Sequence, residues 1–158
     1  MSNNKKRGQQ WQQNKKGQQN PIFDLIKEIE KVGTLKEVFT PENYALPDGW
    51  AYKTADTLRR NQNAMNSNQL RKIFTQLKTI EDSVDRNKGN ELTNDQMNQI
   101  LLLMPQIAYA RGRNLIPKDF YDLMTECITP KRIKDKEDYK SFVGFYTAVI
   151  AYSKMGRR

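Results

Sequence analysis

A chain of 158 residues is about one domain long, and the absence of histidine together with a single cysteine, Cys127, excludes intramolecular disulfides, zinc centres and histidine-based nucleophilic catalysis. Its formal net charge of +9 favours an anionic partner, either nucleic acid or an acidic membrane face. The N-terminus lacks the apolar run of a signal peptide, and the longest apolar stretch, 100–110, is interrupted by Gln106 and far short of the roughly 20 residues that span a bilayer, so a soluble protein of a reducing, cytoplasmic compartment is expected.

Residues 1–20 are rich in Gln and Asn and hold Lys5, Lys6, Arg7, Lys15 and Lys16 with no acid, so they carry +5 of the charge. With Trp11 as their single aromatic they bury too little apolar surface to offset their ordering entropy. A disordered basic tail is predicted, serving either solubility or weak contact with RNA. Residues 21–48 come to −3, and Ile22, Leu25, Ile26 and Ile29 recur there at helical spacing, with Pro21 at the start and Gly33 at the end. Thr40-Pro41 and Leu46-Pro47-Asp48-Gly49 are turn signals, which places the start of the main helical-bundle domain, 49–158, near Gly49.

The first bundle helix, Trp50 to Gln62, turns Ala51, Ala55 and Leu58 inward and leaves Lys53, Arg59 and Arg60 elsewhere. In the second, Ser67 is the expected N-cap, and Leu70, Ile73, Phe74, Leu77, Ile80 and Val84 form a continuous stripe. Arg71, Lys72 and Lys78 lie on its other side. Arg71 and Lys78 are two turns apart, spaced to follow one strand of phosphates, or else they belong to a solvated face on which Glu81 and Asp82 pair the lysine. Thr93 caps a third helix whose run from Met97 to Ile107 leaves almost no polar face, so it is expected at the bundle centre, kinked at Pro105.

Arg111-Gly112-Arg113 then marks a corner, with Gly112 expected to make the backbone turn and Pro117 and Lys118 to restart the helix. The three cations either serve the helix macrodipole or present charge to a phosphate backbone. Phe120, Leu123, Met124, Cys127 and Ile128 face inward on the fourth helix, which makes Cys127 a small buried hydrophobe. Thr129-Pro130 breaks the chain, and Lys131, Arg132 and Lys134 form a basic linker. A last helix from Lys136 offers Tyr139, Phe142, Val143, Tyr146, Val149 and Ile150 to the core. Nothing reads as a strand, so the fold class is all-α, a compact bundle of about five helices with a disordered basic N-terminal tail.

No Gly-rich phosphate loop is present, and Glu81, Asp82 and Asp85 are better explained as a charged helix face than as ligands of a hard metal. A binding protein without cofactor or small-molecule substrate is the expectation.

Tyr52-Lys53-Thr54-Ala55-Asp56, then Ser67-Asn68-Gln69-Leu70-Arg71-Lys72-Ile73-Phe74, then Met104-Pro105 leading into Ala108-Tyr109-Ala110-Arg111-Gly112-Arg113, and finally Phe142 to Tyr152, resemble in that order the small subunit of the type III-A CRISPR effector, the Csm complex. The resemblance covers roughly residues 49–155. It implies a non-enzymatic helical bundle that stacks in several copies beside the backbone subunits, with cleavage chemistry left to the backbone and large subunits. It also implies guide RNA and target RNA as partners, together with the companion subunits and further copies of this chain, and no membrane. The RNA-facing residues would then come from Lys53, Arg59, Arg60, Arg71, Lys72, Lys78, Arg111, Arg113, Lys118, Lys131 and Arg132, with Arg71, Arg111 and Arg113 foremost. Contacts are expected on phosphates and riboses, because such a complex accepts any guide sequence. Two other readings stay open: a helical assembly adaptor whose basic faces meet acidic partner surfaces, and an unrelated general RNA-binding helical module.

Overall fold

A computed structural model describes residues 20–60 and 65–155. The expected tail disorder falls on residues outside that set, apart from Asn20. The described residues are all-α and contain no strand: α1 Pro21–Val32, α2 Leu35–Val38, α3 Pro41–Tyr44, α4 Trp50–Arg60, α5 Ser67–Asp85, α6 Asn94–Leu101, α7 Leu103–Gly112, α8 Lys118–Cys127 and α9 Lys136–Met155.

The centre belongs to α9, which packs against α4, α5, α2 and α3. Tyr139, Phe142, Val143, Phe145, Tyr146 and Val149 are all but inaccessible. Two of these are tyrosines, whose hydroxyls need partners once buried. The Tyr139 hydroxyl donates to the Leu77 carbonyl at 2.6 Å and that of Tyr146 to the Leu70 carbonyl at 2.8 Å. As the chain advances seven residues along α9 it retreats seven along α5, so the two helices run antiparallel with their two-turn repeats in register.

The run from Met97 to Ile107, expected as one kinked central helix, is instead two helices that meet at Leu102, which is 63% exposed. The break has a backbone cause. An uninterrupted helix would place Pro105 in its interior, whereas a restart at Leu103 puts it in a first turn, where a missing N–H costs nothing. Of this stretch Ile100, Leu103 and Ile107 are buried in the core, and Met97, Leu101 and Met104 pack against it half-buried.

The buried core also takes in residues ahead of Gly49, where the main domain was expected to start. Ile22, Leu25 and Ile29 of α1 are fully buried, and Leu35, Val38 and Phe39 join the same core, Phe39 stacking on Phe145 with centroids 4.3 Å apart. Asn20 ties this segment down at both ends of its side chain, accepting from the Ile22 amide at 2.9 Å and donating to the Asp119 carboxylate at 3.0 Å. Gly33 ends α1 at φ +117, a conformation open to glycine and strained for other residues. Gly49 is needed for closeness: a Cβ there would stand 2.8 Å from the Asn43 carbonyl oxygen.

Asn66, one residue before the expected Ser67, caps α5, its side-chain oxygen accepting from the amides of Asn68 at 2.9 Å and Gln69 at 3.1 Å. At the other end of α5, the buried Gln96 bonds to Ser83 and Asn87, and with Thr93 completes a capping box that opens α6.

Candidate nucleic-acid interface

Arg71 and Lys72 emerge from the second turn of α5, both exposed and forming no ion pair with any described residue. Consecutive helical positions diverge by about 100°, and the two side chains accordingly line different grooves. Arg71 enters a groove of ≈ 220 Å³ between α4, α5 and the last turn of α9. Its floor consists of the buried Ala55, Leu58, Leu70 and Ile150 with the half-buried Met65, and its rim holds Arg59, Arg71 and Lys154. Lys72 lines a second groove of ≈ 340 Å³ between α5 and α7, along with Gln69, Gln106, Tyr109 and Arg113. Gln76 and Gln106 hydrogen-bond between the same two helices.

The corner after α7 separates its two arginines. Arg111 is half-buried, and its guanidinium donates to the Ile116 carbonyl at 3.2 Å, so it holds the corner closed. Arg113 points outward with its guanidinium carbon 5.7 Å from the centroid of the Tyr109 ring, itself 68% exposed. The left-handed residue is Asn114, at φ 59, while Gly112 is still helical; asparagine enters that region more readily than other non-glycine residues. The expected cluster of three free cations is thus reduced to one, since Lys118 pairs with Asp122 at 3.0 Å.

The remaining candidates sort by what holds them. Arg59 and Arg60 share Asp56, Arg60 at 3.1 Å, and Lys53 lies over the Trp50 ring at 4.9 Å. Lys78 pairs with Glu81 at 2.7 Å, and that hydrogen bond raises the amine above its ordinary pKa despite some desolvation. Lys131 is exposed in the turn before α9 and lines neither groove.

Arg132 is a correction. Its side chain is 5% exposed, pairs with Glu126 at 2.8 Å and donates to the Gly33 carbonyl at 2.8 Å. The Leu35 amide in turn donates to the Arg132 carbonyl at 3.0 Å, so this arginine fastens the turn after α8 to the turn after α1 and has no surface left for RNA.

Two residues of the face were not singled out from the sequence. Lys154 is a lone cation in a last helical turn, a place the macrodipole alone accounts for. Tyr109 falls off the Leu103, Ile107 and Ala110 stripe, and that offset is the local signal that could have placed it on the surface.

Together the two grooves carry Arg59, Arg71, Lys72, Arg113 and Lys154 on four helix segments, with the half-buried amide of Gln69, the exposed amide of Gln106 and the exposed ring of Tyr109 among them. They can bind anions, and their planar guanidinium forks match phosphate geometry. A model of the Csm2 type III-A family matches residues 42–157, which include every residue of both grooves. The chain belongs to this family. Within it, the chain is similar to the CRISPR system Cms protein Csm2 of Streptococcus thermophilus, with 26% identity over 117 residues that cover 74% of this chain and 93% of the relative. No solved structure matches. Family membership agrees with the resemblance carried by the 52–56, 67–74, 104–113 and 142–152 segments, and leaves α1 and α2 ahead of the matched region. No described helix is long and apolar enough to cross a membrane.

Proposed function

We propose that this Csm2-family chain is a non-catalytic small subunit of a cytoplasmic type III-A CRISPR ribonucleoprotein, and that its two-groove face lies on the backbones of the guide RNA and the guide–target duplex. The observation that carries the reading is the pair Arg71 and Lys72: adjacent, unpaired among the described residues and opening into separate grooves, so that one helical turn can meet phosphates on either side of itself. Arg113 and Lys154 extend the same face.

Sequence-independent contact follows from the chemistry. A-form RNA displays phosphates and 2′-hydroxyls that such cations and amides reach, while the base edges that best distinguish the pairs lie in a major groove too deep and narrow for side chains to read. Companion subunits and further copies of the chain take the remaining surface. The test is a salt titration of binding to two RNA duplexes of unrelated sequence. Equal affinities that fall steeply with salt support the reading; a sequence preference, or affinity insensitive to salt, overturns it.

A further inference from the structure

The two grooves differ in a respect that backbone contact alone does not use. Holding phosphates needs exposed cations and nothing beneath them. The groove between α4, α5 and α9 nevertheless has a closed apolar floor, in which Leu58, Leu70 and Ile150 are between 4% and 9% exposed. Its volume of ≈ 220 Å³ lies below the roughly 300–1,000 Å³ of pockets that enclose a drug-sized ligand, and suits one flat heterocycle.

We propose that this groove receives a single unpaired nucleotide of the bound RNA, its base against the apolar floor and its two flanking phosphates on Arg59 and Arg71. This rests on the backbone-binding reading above and adds a subsite to it. The two arginines stand on different helices, α4 and α5, which matches a residue with one phosphate on each side. Arg59 can leave Asp56 for a phosphate without stranding that carboxylate, because Arg60 holds it as well. Beside the floor stand the hydroxyls of Ser67 and Ser153: that of Ser153 donates to the Ile150 carbonyl at 2.7 Å and keeps its oxygen as an acceptor, while that of Ser67 can donate or accept, so the pair sets no strict choice of base. Among the described residues no aromatic ring lines the groove, which separates it from the stacking platforms common among single-strand binders.

The missing ring also fixes the signature. The full chain is titrated with a perfect RNA duplex and with the same duplex carrying one bulged 2-aminopurine nucleotide, and the fluorophore is challenged with acrylamide. Binding should favour the bulged duplex by about tenfold, and the bound base should be shielded from the quencher without the loss of emission that stacking on an aromatic causes. Ser153→Phe, which fills the groove and removes no cation, should abolish both the preference and the shielding in a protein of unchanged helix content. Equal affinity for the two duplexes with an unshielded base would overturn the nucleotide subsite and leave the backbone reading standing; failure to bind either duplex would overturn both. Should Ser153→Phe instead keep the preference and reduce co-purification with the companion subunits, the groove is a protein-docking site and the proposal is wrong.

Discussion

Helix α5 carries cations at both ends, and the ends differ in what those cations already hold. Near the N-terminus, Arg71 and Lys72 have no ionic partner among the described residues and face open grooves. Towards the C-terminus, Lys78 is bound to Glu81, and Asp85 is bound to Lys140 of α9 at 2.6 Å. The hydrogen bond and charge of that lysine hold the Asp85 carboxyl below the usual carboxylate range. A cation already paired must give up its carboxylate before it meets a phosphate, so equal charge at the two ends does not mean equal affinity for RNA. Pairing and burial, more than charge, separate the cations that build this molecule from those that are free to bind.

Arg132 is the extreme of the first kind and gives the largest expected effect. Arg132→Ala leaves Glu126 without its partner and the Gly33 carbonyl without its donor, and urea denaturation should report a loss of about 3 kcal/mol. The fraction that stays folded should bind RNA as the wild type does. A loss of affinity without a loss of stability would return Arg132 to the interface.

The comparison along α5 is tested by two double variants. Arg71→Ala with Lys72→Ala should weaken duplex RNA binding at least about tenfold at moderate salt and lower the slope of log affinity against log salt by about 1.5 to 2, one counterion-release increment for each lost contact. Lys78→Ala with Lys140→Ala removes as much formal charge from the other end and should change affinity less than about twofold, with the salt slope nearly intact. Equal losses from both pairs, measured by filter binding across a salt series, would show that net charge and not pairing governs the face.

Several of these pairings were legible before any fold was known. Asp56 stands three and four residues before Arg59 and Arg60, Glu81 three after Lys78, and Asp122 four after Lys118, spacings at which helical side chains meet. The α5 stripe was legible for the same reason of local periodicity. What escaped reading lies far apart in sequence. The contact between Arg132 and Gly33 spans 99 residues, and the docking of α1 depends on α4 and α8, which lie far from it in sequence. The two grooves belong to this second class, since no local pattern brings Lys154 beside Arg71 or Arg113 beside Lys72. The break at Leu102 was of a different kind: the proline was seen, but a restart that places it in a first turn costs less than the kink that was expected.

The smallest effect concerns the corner that supplies Arg113. The sequence placed the turn on Gly112, yet that residue is helical, and a Cβ added there would meet no atom within 4 Å. Gly112→Ala should therefore stabilise the protein by about 0.5–1 kcal/mol, because alanine loses less backbone freedom on entering a helix. RNA affinity should hold, since the turn itself rests on Asn114 at φ 59 and on the Arg111 guanidinium at the Ile116 carbonyl. The counterpart is Asn114→Ala, which puts a residue that enters the left-handed region less readily than asparagine at φ 59 and should cost about 1 kcal/mol. Thermal denaturation of the two variants decides which residue turns the chain: destabilisation by Gly112→Ala with tolerance of Asn114→Ala would move the hinge back to the glycine and swing Arg113 away from Tyr109 and the Lys72 groove.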